Sequence, residues 1–335
     1  MSEVIDVHVH FGAPDGPDGN CYWSEEFRKT LAYIAMKWVT KSVFKKASYK
    51  KVKKHMFKVI RKSKKSDKVV LLALDQVYEP NGEPSKNKTN LYTSNECIMR
   101  LKKGYLEKYG EDKILLGMSI NPMRSDWEKE LDTFKDDAVL YKWLPSTQLI
   151  NPDDSRFDKF YKRLAELKIP LLCHVGPEHA IPTWDRTYKK YDSTTYLRRP
   201  LSNGVTVIAA HCALPFYPDE PDTDFVELIE LMRESEQKGW SLYADLSALC
   251  LPFRNPFIKD IQKLIGEEKL LYGSDYPIPM FEFTYKKTSN IWKQIKIFFK
   301  ALFTSNPLDK NSYLIEKMGF SRKVFLNAQN VLKFK

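Results

Sequence analysis

The sequence predicts an α/β fold of the TIM-type (β/α)8 barrel class, with helical insertions after strands 1 and 8. Three observations predict it. Eight short runs rich in Val, Ile and Leu recur along the 335 residues. Segments between them carry apolar residues at three- and four-residue spacing. Eight buried strands alternating with helices give a closed barrel or a doubly wound sheet, and the length suits a barrel with insertions.

The runs lie at residues 4–10, 69–74, 114–121, 139–144, 170–175, 205–211, 241–246 and 270–275. They are apolar almost throughout, as strands of a parallel sheet covered on both faces are. Residues 126–134, 155–168 and 224–238 read as helices, with Phe157, Phe160, Tyr161 and Leu164, or Phe225, Leu228, Ile229 and Met232, on one face. The first connection takes nearly sixty residues. Within it, Met36, Val39, Val43 and Ala47, then Val52, Met56, Val59 and Ile60, predict two amphipathic helices with lysines outside. A third basic amphipathic helix is expected over 291–303. No repeat or linker divides the chain. It reads as one domain over 1–335, with a basic insertion at about 20–66 and a helical lid at about 281–305.

The net charge of +11 is local. Residues 37–68 hold 14 Lys and Arg and one acid, Asp67, whereas the rest of the chain holds 40 basic and 42 acidic residues. A near-neutral body with one basic segment gives no reason to expect a nucleic-acid partner. The start, Met-Ser-Glu-Val-Ile-Asp-Val-His, lacks the basic and apolar regions of a signal peptide. Five widely spaced cysteines with no CxxC pair suggest neither a disulfide framework nor a zinc ribbon. A cytoplasmic location is expected.

The chemistry sits at strand ends. His8 and His10 close the first run, and strict alternation would turn both imidazoles to one face and Val7 and Val9 to the other. His174 lies at the C-terminal end of the fifth run, and His211 and Asp275 close the sixth and eighth. Four of only six histidines occupy such positions. Ionisable groups at buried strand ends are paired or bind metal, and in a parallel barrel all these ends meet on one face. Three imidazoles and a carboxylate, or four and one, match a borderline-soft divalent ion. The alternative for any single histidine is a satisfied core residue.

This order of residues resembles the amidohydrolase superfamily. The amidohydrolase-related branch (Amidohydrolase 2) is suggested by Val4-Ile-Asp-Val-His-Val-His-Phe-Gly, Tyr141-Lys-Trp-Leu-Pro, Tyr272-Gly-Ser-Asp-Tyr-Pro and Asn327-Ala-Gln-Asn. The resemblance spans roughly residues 1–10 and 67–332 and leaves the basic segment outside. It implies a divalent metal, zinc first with Mn2+ or Fe2+ as alternatives, held by His8, His10, His174 and Asp275. His211 is then a base or electrophile beside the metal, or a ligand of a second one. Lys142 either bridges a second metal as a carboxylated lysine or ion-pairs in the pocket floor.

The expected activity is hydrolysis of an amide, lactone or related C–N or C–O bond of a small molecule. Asp275 would carry the proton and His211 would donate to the developing oxyanion. The alternatives are metal-dependent decarboxylation of an aromatic or unsaturated acid and, in another class, a barrel that only binds anionic lipid or polyanion. Substrate contacts are expected from Glu178, Arg199 and Trp143. A homo-oligomer is expected, and the basic helices leave peripheral contact with an anionic membrane open.

Overall fold

The computed structural model describes residues 3–39, 47–282 and 291–334. Eight parallel strands follow one another in a single sheet: β1 (Ile5–His10), β3 (Lys68–Leu72), β5 (Ile114–Met118), β6 (Ala138–Trp143), β7 (Leu171–Cys173), β8 (Val207–Ala209), β9 (Leu242–Asp245) and β10 (Leu270–Leu271). The chain closes the sheet beyond β10. The Val7 amide donates to the Tyr272 carbonyl at 3.0 Å, Asp275 to His8 at 2.8 Å and His10 to Tyr276 at 2.8 Å. The result is the nearly closed TIM-type barrel that the eight runs predicted.

Two apolar layers hold it. Ile5, Val7, Val70, Leu72, Leu140, Leu172, Ile208 and Leu271 pack together as one cluster, joined by Val331 and Leu332 from the C-terminus. A larger cluster lies between the strands and the surrounding helices. The expected helices form at Trp127–Phe134, Asp158–Glu166 after a 3-10 turn at Ser155–Phe157, and Thr223–Lys238.

Strand β1 breaks the alternation expected for it. Its pairing with β3 slips between Asp6 and Val9. Val7 belongs to the inner cluster and Val9 to the outer one. A bulge of this kind re-aims side chains, and here it brings His8 inward directly after Val7.

The first insertion holds more than helices. Cys21–Trp23 (β2) pairs antiparallel with Leu91–Thr93 (β4), a ribbon that three-residue strands did not announce in the sequence. The first basic-segment helix runs Leu31–Val39, earlier than expected; Val43 lies outside the described residues and Ala47 is not helical. The second, Tyr49–Lys62, buries Val52, Met56, Phe57, Val59 and Ile60. The late helix forms at Ile291–Phe303. Helix Pro307–Met318 packs against both of these basic helices. Its Asp309 accepts from the Lys64 and Lys65 amides at 2.9 Å each, and the Asn306 amide reaches the Val59 carbonyl at 2.8 Å.

Trp143 is fully buried on the outer side of β6, where it stacks on Phe160 and donates Nε1–H to the Ile120 carbonyl at 2.7 Å. Sheet alternation turns Lys142 inward and Trp143 out to the helices, so Trp143 is not a substrate contact. Trp143→Ala is expected to cost about 3–5 kcal/mol of stability, measured by chemical denaturation, with KM unchanged.

Candidate active site

The site is built at the C-terminal ends of the strands. Its keystone is Asp245, the last residue of β9, which is buried and accepts at both oxygens. Oδ2 receives His8 Nδ1 at 2.7 Å. Oδ1 receives the amides of His211 at 2.9 Å and Ser247 at 3.0 Å, and the Ser247 hydroxyl. With Nδ1–H committed to a carboxylate, His8 presents the Nε2 lone pair to the site.

That nitrogen lies 3.1 Å from His10 Nε2 and 3.5 Å from Asp275 Oδ1. The third side, His10 Nε2 to Asp275 Oδ1, is 3.3 Å. A tetrahedral ion with ligand bonds of ~2.0–2.1 Å separates its ligands by about 3.4 Å. The triangle therefore has the spacing of three ligands of one small divalent ion, and its donor set of two imidazoles and a carboxylate fits the same chemistry.

Charge states agree. Burial, with Lys142 nearby, holds His8 well below the usual imidazole range. Burial works against ionised Asp275, but the His10 bond and the neighbouring His8, His10 and Lys142 side chains outweigh it and leave Asp275 below the usual carboxylate range. A neutral imidazole and an ionised carboxylate are the forms that bind metal.

Several constraints fix this geometry. Asp275 and His211 both adopt left-handed backbone, with φ of 59° and 58°. Residues other than glycine rarely do so, and such strain gathers at functional sites. The Asp275 and His211 amides are held by the His8 carbonyl and Asp245. Asp6, beneath, accepts from the Ser274 amide at 2.9 Å and the His8 amide at 3.2 Å, and its burial raises its pKa to about 7. Gly273 lies so close that an added Cβ would stand 2.9 Å from His8 Cβ. Any side chain there would displace His8.

His211 completes the network differently from the expectation. Its Nδ1 lies 2.7 Å from Ser247 Oγ and 3.3 Å from the Ser247 carbonyl. The Ser247 proton goes to Asp245, so His211 Nδ1 must be the donor. Its Nε2 then carries a lone pair, and burial lowers the His211 pKa well below the usual range. His211 is placed as an acceptor rather than an oxyanion donor. His8, His211 and Asp245 also cluster, but hydrogen bonds already occupy the facing atoms.

A cavity opens above the triangle. His10, Lys142, His174, Glu178, His211 and Asp275 line its polar side. Phe11, Trp23, Phe27, Met36, Leu144 and Ile278 are among its apolar lining. Trp23, Phe27 and Met36 come from the first insertion, so that segment does shape the pocket. Among the described residues, none of 279–305 lines the cavity; Pro277 and Ile278 just before them do.

His174 shares this cavity but stands outside the triangle. Its Nε2 is buried without a hydrogen bond, 3.5 Å from Glu178 Oε2, and burial lowers its pKa to about 3. Glu178 is tethered by the amides of Ala180 and Ile181. Lys142 Nζ is buried without a hydrogen-bond partner, and among the described residues it forms no ion pair, so it does not ion-pair in the pocket floor. Burial lowers its pKa. Arg199 is elsewhere: Asp158 holds its guanidinium at 2.8 and 2.9 Å on two nitrogens, and it is absent from the cavity lining. That ion pair replaces the substrate contact expected of it.

Asp245 was missed although its sequence signal existed. It stands next to last in the seventh apolar run, as His174 does in the fifth, and His211 and Asp275 close theirs. Asp6 had no such signal, because it lies within a strand. The wall residues of the first insertion had none either, since only folding brings them over the barrel.

The family model described as Amidohydrolase matches residues 142–301, which include Lys142, His174, His211, Asp245 and Asp275. The matched segment is just under half of the chain, and over it the chain is similar to the amidohydrolase family. Among solved structures, it is similar to an uncharacterised TIM-barrel protein from Bordetella bronchiseptica, at 15% identity and a TM-score of 0.57, over 98% of this chain and 97% of that one. It is also similar to a Staphylococcus aureus protein named as an amidohydrolase, at 12% identity and a TM-score of 0.50, over 97% of this chain and 95% of that one. These likenesses show the fold of the chain. No curated protein matches its sequence.

Asp245→Asn removes an anionic acceptor from His8 Nδ1. It is expected to weaken metal binding by about 10–100-fold, read by metal titration of protein whose circular dichroism is unchanged. Unaltered affinity would contradict the positioning role of Asp245.

Proposed function

We propose that this protein is a metal-dependent hydrolase that uses water to cleave an amide, lactone or related C–N or C–O bond of a small molecule. The observation that supports this most is the triangle of His8 Nε2, His10 Nε2 and Asp275 Oδ1, with sides of 3.1 to 3.5 Å. These three residues would hold the ion, with His174 as a further ligand from the same cavity. Zn2+ fits the mixed nitrogen and oxygen set, and Mn2+ or Fe2+ are alternatives. When bound, such an ion lowers the pKa of water toward ~7 and polarises a carbonyl.

The chain's own groups do the rest. Asp275 is ionised, and its Oδ2 lies 4.0 Å from His211 Nδ1. It can take a proton from the attacking water and return it to the leaving group. His211 Nε2 accepts, and so orients water or holds a proton briefly. The apolar wall of Phe11, Trp23, Phe27 and Met36 receives the carbon body of the substrate and excludes bulk water.

Lys142 supports a second reading. Its buried Nζ lacks a hydrogen-bond partner beside the cavity, and a substrate carboxylate would satisfy it. Decarboxylation of an aromatic or unsaturated acid on the same donors is that alternative. Carboxylation of Lys142 itself, bridging to a second ion near His211, would satisfy the same atom. A barrel that has lost catalysis is less well supported, because the donor set is complete.

Purified protein is expected to carry Zn, Mn or Fe and to melt at a lower temperature in chelator. Absence of metal together with unaltered melting would sink the proposal. A panel of lactones, amides and carboxylated aromatics, followed by absorbance and CO2 release, separates hydrolase from decarboxylase. Asp275→Asn is expected to lower kcat by about 10²–10⁴-fold with the fold intact; retained turnover would contradict its proton-carrying role.

A further inference from the structure

The helix Ile291–Phe303 has two apolar faces, and the barrel uses only one. Ile297 and Ala301 are buried against the protein. Ile291, Trp292, Ile295, Phe299, Leu302 and Phe303 are all exposed, Trp292 and Phe303 at 77% each. At 3.6 residues per turn these six occupy one arc of roughly 120°. No polar residue interrupts the arc. Lys293, Lys296 and Lys300 fall next to it, between the exposed apolar face and the buried one, and all three are exposed. The helix carries no acidic residue.

A continuous exposed apolar strip on a helix is a contact surface rather than chance exposure. Its character selects the partner. A helix with Trp and Phe on one face and lysines beside them lies at the boundary between lipid headgroups and acyl chains. Anionic headgroups complement the lysine row. A second copy of this chain fits less well. A two-fold contact through the strip would set the lysine rows close together, and this helix has no acid to offset them.

The same trait recurs next to the cavity. On helix Leu31–Val39, Met36 lines the cavity while Leu31 is 75% exposed and Ile34 48%. Sequence also places Lys286 and Lys287 just before the late helix.

We propose that the outward face of Ile291–Phe303 docks the protein on anionic membrane surfaces, with Trp292, Phe299 and Phe303 entering the headgroup boundary and the neighbouring lysines contacting acidic headgroups. This docking is independent of the reaction assigned to the barrel. None of these residues lines the cavity, so its test and the tests of catalysis fail separately.

The test is co-sedimentation of the full chain with phosphatidylcholine vesicles and with vesicles that also contain phosphatidylserine, at low and high salt. The wild type is expected to sediment with the anionic vesicles and to lose most of that binding at high salt. The double variant Trp292→Ser/Phe303→Ser is expected to lose tenfold or more in affinity with unchanged melting and metal content. Lys293→Glu/Lys296→Glu is expected to lose the preference for anionic vesicles. Absence of wild-type binding, or binding that both variants retain, would overturn the proposal. Sedimentation equilibrium without vesicles tests the rival occupant: a dimer that Trp292→Ser/Phe303→Ser disperses would assign the face to self-association instead.

Discussion

The hydrogen bond from His8 to Asp245 is the contact on which the site depends. It spans the barrel from the first strand to the seventh, and both side chains are fully buried. By fixing which nitrogen of His8 bears hydrogen, it decides where the other points. The same carboxylate holds the strained turn at His211 and the Ser247 hydroxyl that fixes the His211 tautomer. One buried acid therefore sets the protonation pattern of two imidazoles. Its desolvation is offset because both carboxylate oxygens accept hydrogen bonds.

The barrel was legible because buried parallel strands leave continuous apolar runs, and eight of them survive any error of a residue or two at their ends. The positions of His8, His10, His174, His211 and Asp275 at strand ends were legible for the same reason. What alternation could not reveal was the bulge in β1, since a slip in pairing depends on the neighbouring strand and not on the run itself. Arg199 and Trp143 show the complementary failure. Residue type suggested a ligand-binding role, but one guanidinium meets Asp158 and one indole faces the helices. Both outcomes depend on partners distant in sequence. His174 falls between these cases: it reaches the right cavity but not the triangle.

The charge that distinguishes this chain lies apart from its chemistry. The lysines of Tyr49–Lys62 coat a helix whose other face is core, while Ile291–Phe303 keeps lysines beside an apolar face that the protein leaves open. The first insertion contributes Trp23, Phe27 and Met36 to the cavity. The shape of the cavity is thus set partly by residues outside the strands, on segments that carry none of the proposed metal ligands.

The central claim is that His8, His10 and Asp275 converge on one divalent ion because Asp245 orients His8. Anomalous diffraction from crystals of the wild-type protein, collected on either side of the metal absorption edge, tests it most directly. A single strong peak is expected within bonding distance of His8 Nε2, His10 Nε2 and an Asp275 oxygen. A metal-loaded protein whose peak lies away from these three atoms, or whose His8 binds through Nδ1, would contradict it.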